Sequence, residues 1–401
     1  MKNKSKKILI YVVVSFFILF IFNFYLNLTL PIKTSGLTDT INIPSSNKPI
    51  AWPSFGQSAV GIVDGNYIIS HNQQVPSPIA STAKLITILS VLSVHPLSLN
   101  NPGPNITLTS QDISIYNTYV KEGGSVVPVV LGEKLTEYQM LQAMLLPSAN
   151  NIADSLAIWA FGSLSNYSNY ANNFLKQKSI FQTHVGIDAS GYDPSTVSTA
   201  SDLVKIGELA IQNPVIAQIV DSKLVTNFPV INSFNNLDFL IGQNNIIGIK
   251  TGNTDQAGGV FISASIKDVN NHKVTIVTAV LKAPNLKQAL ISSDQLISSV
   301  QNSFTQQVLI SNNKIITSIK LPWGKTVNVH LKGDLTAYSW INDYETIFIN
   351  YNSIKVNTTT NDVIGHVSIK KNLFNNFSTQ NIYLSSSIKP PISWLLFHIN
   401  Y

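Results

Sequence analysis

The sequence predicts an α+β protein, an antiparallel sheet covered by helices and followed by a small all-β carboxy-terminal domain. Three observations carry this reading. Two strand-like runs around Ser58–Ser70 and three more between Ile246 and Leu281 bracket a helical middle. An amphipathic helix over Asn285–Phe304 closes that part. Beyond it the apolar pattern changes to period two. A chain of 401 residues is long enough for two or three domains and a large core.

In chain order, Lys2, Lys4, Lys6 and Lys7 precede an apolar run from Ile8 to Leu30, broken only by Ser15, Asn23, Asn27 and Thr29. Roughly 20 apolar residues cross a bilayer as a helix, and Lys on the amino side stays cytoplasmic. Residues 1–31 are therefore expected to form a single-pass anchor that leaves the rest of the chain outside the membrane. The alternative is a cleaved secretory signal, but Phe24, Tyr25 and Leu26 stand where small residues would be needed. Pro31–Pro53 is rich in Pro, Ser and Thr without apolar periodicity, so 32–54 reads as an extended linker.

Ser58–Val63 and Tyr67–Ser70 flank Asp64-Gly65, a short hairpin signal. Ser81–Val94 is apolar nearly all round, as a helix buried in a core would be. Thr136-Glu-Tyr-Gln139 has the form of a capping box. It opens a helix with Met140, Leu141, Met144 and Leu145 on one face, which Pro147 stops. Ile152, Leu156, Trp159 and Ala160 mark the next helix, closed by Gly162, and Ser201–Gln212 another. Ile246–Thr251, Gly259–Ile266 and Lys273–Leu281 read as strands, the last two joined at Asn270-Asn271. In the tail, Lys314–Lys320, Thr326–Leu331, Thr346–Tyr351 and Val363–Ile369 alternate as half-buried strands do. The final Pro390–Phe397 segment is too short to span a membrane and reads as packing on the β domain.

Composition removes several function classes. The chain has no Cys, which excludes disulfide scaffolds, Cys-ligated metals and thiol nucleophiles together. Its seven His residues are scattered without metal-ligand spacing, so no metal and no cofactor are expected. All 26 basic residues are Lys, and without Arg a nucleic-acid partner is not expected. The net charge of +6 belongs mostly to the first seven residues, whose four Lys leave +2 for the remainder.

Three short motifs carry the chemistry. Ser81-Thr-Ala-Lys84 is an S-x-x-K at the start of the buried helix, where residues three apart share a face and Lys84 reaches the Ser81 hydroxyl. A desolvated Lys loses affinity for its proton and can act as a base. The unpaired Ser81 N–H at the helix start can hold an oxyanion. Other S-x-x-K matches lie in the linker or the β tail, where a solvated Lys needs no partner. Ser148-Ala-Asn150 sits in the break after Pro147, either as ordinary cap residues or as a proton-relaying hydroxyl with an amide for a substrate carbonyl. Lys250-Thr251-Gly252 ends a strand, either as an edge Lys and a turn Gly or as an anion site that a substrate backbone can approach.

Taken in order, 67 and then 102 residues apart, these motifs resemble those of the D-alanyl-D-alanine carboxypeptidases, the low-molecular-weight penicillin-binding proteins of peptidase family S11. The likeness continues in WPSFGQSAVGI at Trp52, PIASTAKLIT around Ser81, MLLPSANNIAD around Ser148, STASDL at Ser198 and NNIIGIKTGNTDQAGG around Lys250. It covers about residues 50 to 305 and is looser in the tail. The resemblance implies a β-lactamase/transpeptidase-like serine peptidase domain over 55–304, with the β domain over 305–401. It implies a membrane-bound bacterial enzyme whose catalytic domain is extracytoplasmic. Its substrate would be the D-Ala-D-Ala end of peptidoglycan stem peptides, with β-lactams as inhibitors. By the same resemblance Ser81 is the acylated nucleophile and Lys84 its base, with Ser148 and Asn150 as the second polar element. Lys250 and Thr251 bind the terminal carboxylate, Gly252 allows close approach, and the N–H groups of Ser81 and Asn253 form the oxyanion hole.

The alternatives are a D,D-endopeptidase or transpeptidase, a class A-like β-lactamase and a non-catalytic peptidoglycan-binding homologue. A class A β-lactamase adds a Glu that activates the deacylating water. This chain has no Glu between Ser148 and Gly207, the first being Glu208. Some family members also carry an Arg in the segment where this chain has Ser201, which leaves carboxylate recognition to Lys250 and nearby hydroxyls.

Overall fold

The computed structural model describes residues 2–26, 38–42, 48–63, 65, 67–269, 272–340, 344–352, 354–370 and 378–397. The chain divides into two compact units, one of residues 48–303 and one of 1–47 with 304–401.

In the unit 48–303, strands β1 (Gln57–Ile62), β2 (Ile68–His71), β3 (Ile246–Thr254), β4 (Gly258–Val269) and β5 (His272–Ala283) form one antiparallel sheet in the order β3-β4-β5-β1-β2. The expected hairpin is β1–β2, with Val60 opposite Ile69. Asp64, Asn270 and Asn271 of the expected turns lie outside the described residues. Six of the nine residues of β3 and eight of the twelve of β4 are buried, as in a sheet covered on both faces.

Eight helices are described in this unit: α1 (Lys84–Val94), α2 (Ser110–Lys121), α3 (Glu137–Leu145), α4 (Asn150–Phe161), α5 (Leu164–Gln177), α6 (Ala200–Gln212), α7 (Pro214–Val220) and α8 (Leu286–Ser303). Helix α8 packs on β4 and β5, with Ala289 and Leu290 against Phe261 and Ala283. There the cross-strand partners Ser263 and Thr278 close a buried hydroxyl triangle with Ser293 at 2.7–3.0 Å, so these three hydroxyls are paired with one another. Helix α6 packs on β1, β4 and β5, within the large core that also takes in α1, α3 and α4.

The local signals act as their chemistry requires. Thr136 Oγ1 accepts from Gln139 N at 3.2 Å, and Gln139 Oε1 accepts from Thr136 N at 2.9 Å, closing the box that starts α3. Gly162 ends α4 in the left-handed region at φ +82°. The apolar helix begins differently from expectation. A single 3-10 turn, Ala80–Ala83, carries Ser81, and α1 proper starts at Lys84. Helices α2 and α5 were not expected, because their sequences are largely polar.

In the second unit, a six-stranded antiparallel sheet runs in the order Thr38–Asn42, Tyr344–Tyr351, Gly365–Lys370, Ser378–Leu384, Thr326–Leu331 and Ile315–Lys320. Thr305–Ile310 pairs separately with Leu335–Ser339. The expected linker is thus corrected over Thr38–Asn42, which pairs in full with Tyr344–Phe348; extended backbone with open hydrogen-bonding groups can add to a sheet edge. Residues 32–37 and 43–47 of the linker lie outside the described residues. Trp394, in the short helix Ile392–Phe397, packs against this unit's core, edge to face with Trp323 at 5.2 Å.

Lys2–Leu26 is helical, and the side chains described on it, 6–21, are exposed. Among the described residues no single helix is long and apolar enough to cross a membrane. Residues 27–30 of the expected span lie outside the described residues.

Glu137, at the first position of α3, is fully buried, and neither carboxylate oxygen has a partner among the described residues. Burial pushes its carboxyl up to about 7. Between the ordinary Glu value and about 7 the folded chain holds a proton that the unfolded chain releases, so stability falls as pH rises through that window. Thermal melts of Glu137→Gln are expected to match wild type at about pH 4.5 and to lie above it at about pH 8. Equal melting temperatures at both would contradict the assignment.

Candidate active site

The site is built where the 3-10 turn, α4 and β3 converge. Ser81 is half-buried on the turn, and Lys84 is completely buried at the first position of α1. Lys84 Nζ lies 2.9 Å from Ser81 Oγ, 2.7 Å from Asn150 Oδ1 and 3.1 Å from the Ser190 carbonyl. The amide oxygen and the carbonyl only accept, whereas the Ser hydroxyl can also donate. A neutral amine satisfies all three contacts, giving two N–H groups to the acceptors and its lone pair to the Ser81 O–H. Burial, then the nearby charge of Lys250, push the Lys84 amine well below the ordinary Lys range, against the opposing pull of Asp188 and Asp154.

Ser148 and Asn150 occupy the break between α3 and α4. Ser148 takes a left-handed conformation at φ +64°, rare for a side-chain-bearing residue, and its buried Oγ has no partner among the described residues. Asn150 N donates to Ser125 O at 2.8 Å. The neighbouring Asn151 brackets Val127, accepting from its N–H at 3.1 Å and donating to its carbonyl at 2.9 Å. The break is therefore pinned to the 125–127 segment. The Asn150 side-chain oxygen is turned onto Lys84, an engagement that the motif spacing alone does not reveal.

Strand β3 is an edge strand, as the sequence suggested for Lys250. A Cβ at Gly252 would sit 3.1 Å from Ser81 N, the Ile79 carbonyl and Ala80 Cβ, so the glycine lets β3 run directly beside the turn that carries Ser81. This contact joins the first and third motifs. Ala80, just before Ser81, is itself left-handed at φ +47°. Lys250 is 2% exposed, and its Nζ donates to the Thr251 carbonyl at 3.0 Å. Burial pushes its amine down to about 7, with Asp238 pulling the other way. Thr251 is buried and Asn253 is exposed. Asn253 lines a cleft of about 820 Å³ together with Tyr119, Asp154, Asp188 and Tyr192.

Sequence reasoning missed the acidic side of the site. Asp188 Oδ1 accepts from Ser190 N at 2.6 Å, Gly191 N at 2.5 Å and Ser190 Oγ at 3.0 Å, and its Oδ2 accepts from Asp193 N at 2.7 Å. The carboxylate thus folds the 188–193 turn that supplies the Ser190 carbonyl to Lys84. Its Asp-Ala-Ser-Gly sequence is a turn signal. Asp154 follows Asn150 by four residues on α4, a spacing that places both on one helix face. Two other residues fall elsewhere. Ser201 N and Oγ both donate to Gln74 Oε1, at 3.0 and 3.1 Å. Glu208 lines a separate cavity with Tyr67 and Lys178. Among the described residues no three His, Asp or Glu side chains gather as metal ligands.

A Ser beside a buried Lys, at the edge of a helix-covered antiparallel sheet, points to the class of serine hydrolases. The particular family follows from the sequence. A profile for D-alanyl-D-alanine carboxypeptidase, peptidase family S11, matches residues 57–285, and the chain belongs to that family. It is 28% identical over 235 residues to the D-alanyl-D-alanine carboxypeptidase DacB2 of Mycobacterium tuberculosis, covering 56% of this chain and 75% of that one. It is 23% identical over 238 residues to DacA of Escherichia coli, covering 58% of this chain and 57% of that one. Among solved structures, a peptidoglycan synthesis regulatory factor (PBP3) from Streptococcus pneumoniae has the same fold, with a TM-score of 0.59 at 17% identity, over 85% of this chain and 100% of that one. The α+β fold predicted from the sequence, with its carboxy-terminal β domain, is the one observed.

Proposed function

We propose that this enzyme is a D,D-carboxypeptidase that removes the terminal D-Ala from peptidoglycan stem peptides through an acyl-enzyme on Ser81. The observation that carries this reading is the 2.9 Å contact between Ser81 Oγ and the buried Lys84 amine. Neutral Lys84 takes the Ser81 proton as Oγ attacks the carbonyl of the penultimate D-Ala. The oxygen of that carbonyl becomes an anion held by the N–H groups of Ser81 and Asn253. The C–N bond to the terminal D-Ala then breaks, and its nitrogen leaves with a proton relayed through Ser148. Water cleaves the Ser81 ester by the reverse proton path, releasing the shortened peptide.

Lys250 and Thr251 are assigned to the terminal carboxylate, and Gly252 to close approach of the substrate backbone. A carboxylate beside Lys250 favours its protonated form, so substrate binding restores the charge that burial suppresses. Asn150 holds Lys84 through Oδ1 and keeps its NH₂ group for a substrate carbonyl. A β-lactam carries a reactive amide and a carboxylate, and it acylates Ser81 in the same geometry. The Lys cluster and the apolar run Ile8–Leu30 support an uncleaved anchor that holds the peptidase outside the cytoplasmic membrane.

Incubation with a fluorescent penicillin is expected to label the wild-type protein covalently and to leave Ser81→Ala unlabelled. Equal labelling of both would sink the assignment. With a synthetic pentapeptide stem, mass analysis is expected to find free D-Ala and tetrapeptide; cross-linked dimers as the main product would make the enzyme a transpeptidase. Removal of residues 1–31 is expected to move the protein from the membrane to the soluble fraction, and retention in the membrane would contradict the anchor.

A further inference from the structure

The 188–191 turn is the least local of the groups that hold Lys84, since it reaches the amine from 106 residues away. Its tie to the rest of the site runs through Asp154. Asp154 Oδ1 accepts from Ala189 N at 2.9 Å, and Oδ2 accepts from the Tyr119 hydroxyl at 2.8 Å. Tyr119 also stands 3.3 Å from Ser190 Oγ. One carboxylate on α4 therefore links α2, its own helix and the turn whose next carbonyl meets Lys84. Asp154 lies one helical turn after Asn150, so a single stretch of α4 controls two of the three contacts of the Lys84 amine. The turn has little room to shift, because a Cβ at Gly191 would meet the Ala80 carbonyl at 2.1 Å.

We propose that Asp154 is a positioning residue for Lys84. By holding Ala189 N–H and the Tyr119 hydroxyl it fixes the Ser190 carbonyl on the amine, and its charge adjusts how readily that amine keeps a proton. The proposal rests on the reading of Ser81 and Lys84 as the acylating pair. The charged groups acting on Lys84 are Lys250 from β3, Asp188 from the turn and Asp154 from α4. Those acting on Asp154 are Asp188 and Lys84, with the Tyr119 hydroxyl and Ala189 N–H as hydrogen-bond donors. Burial and Asp188 push the Asp154 carboxyl up to about 7, so Asp154 and Lys84 exchange influence within the working pH range.

Two variants separate placement from charge. Asp154→Asn keeps an oxygen for Ala189 N–H and removes the charge, whereas Asp154→Ala removes both. The readout is the rate of Ser81 acylation by a fluorescent penicillin across the pH range, with a thermal melt of each protein. Misplacement of a reacting group by about 1 Å costs up to ~100-fold, so Asp154→Ala is expected to slow acylation by ~10- to 100-fold. Asp154→Asn is expected to recover most of the alkaline plateau rate. Its acidic limb should move to lower pH, because a negative charge that favours protonated Lys84 is gone. Wild-type rate and profile in Asp154→Ala would overturn the proposal. So would an Asp154→Asn variant whose acidic limb stays in place, whatever its rate. Should Asp154→Ala not fold, Asp154→Asn alone decides by its pH profile. Absence of label on the wild-type protein would instead overturn the Ser81–Lys84 reading, so the two failures are distinguishable.

Discussion

A Lys amine with no exposure to water is the constraint around which the site is organised. Charge on Lys84 is disfavoured by burial and by Lys250, and the polar amine must still be satisfied. Three segments far apart in the chain meet that demand, with the Ser81 hydroxyl, the Asn150 amide and the Ser190 carbonyl each placed within 3.1 Å. The first is the hydroxyl proposed as the nucleophile. The second brings the Ser-Ala-Asn break to α1, and the third brings in the 188–193 turn. Removing one acceptor would leave a buried donor unpaired, at a cost of about 1–3 kcal/mol.

The surrounding backbone is fitted closely to this arrangement. Ala80 and Ser148 both adopt left-handed conformations that side-chain-bearing residues avoid, each at a cost on the order of 1–3 kcal/mol. Both stand at the candidate site, one beside the proposed nucleophile and the other bearing the proposed relay hydroxyl. Gly252 and Gly191 close on the same turn from β3 and from the 188–193 segment. The sheet below is firmly supported, since most of β3 and β4 is buried and α8 is tied to β4 and β5 by the Ser263–Thr278–Ser293 hydroxyls. Support of this kind holds reacting groups at short range without reorganisation when charge develops.

Much of this was legible in the sequence because the signals are local. The Thr136 capping box, Gly162 at a helix end, the apolar wrap of α1 and the three strands from Ile246 each rest on neighbouring residues. The 3-10 turn at Ala80–Ala83 escaped because its residues suit a regular helix equally well, and only the close fit of Gly191 and Gly252 tightens it. Helices α2 and α5 escaped because few of their residues are apolar; α5 buries only Tyr167, Ala171 and Leu175. Thr38–Asn42 looked like a linker because its pairing partner lies some 300 residues on, at Tyr344–Phe348. Within the site, S-x-x-K, S-x-N and K-T-G name the parts but not their mutual contacts. The Asn150 oxygen on Lys84, and the pair Asp154 and Asp188 behind it, appear only when segments 66 and 106 residues from Lys84 fold together.

The central claim is that Lys84 is uncharged before substrate arrives. Its most direct test is an NMR titration of the Lys84 side chain in isotopically labelled protein, assigned by comparison with Lys84→Gln. The account predicts a midpoint well below 10.5, the ordinary Lys value, and below the pH at which Ser81 is acylated fastest. A Lys84 resonance that titrates at or above the ordinary value would mean a buried ammonium, and would contradict the role proposed for it as the base that activates Ser81.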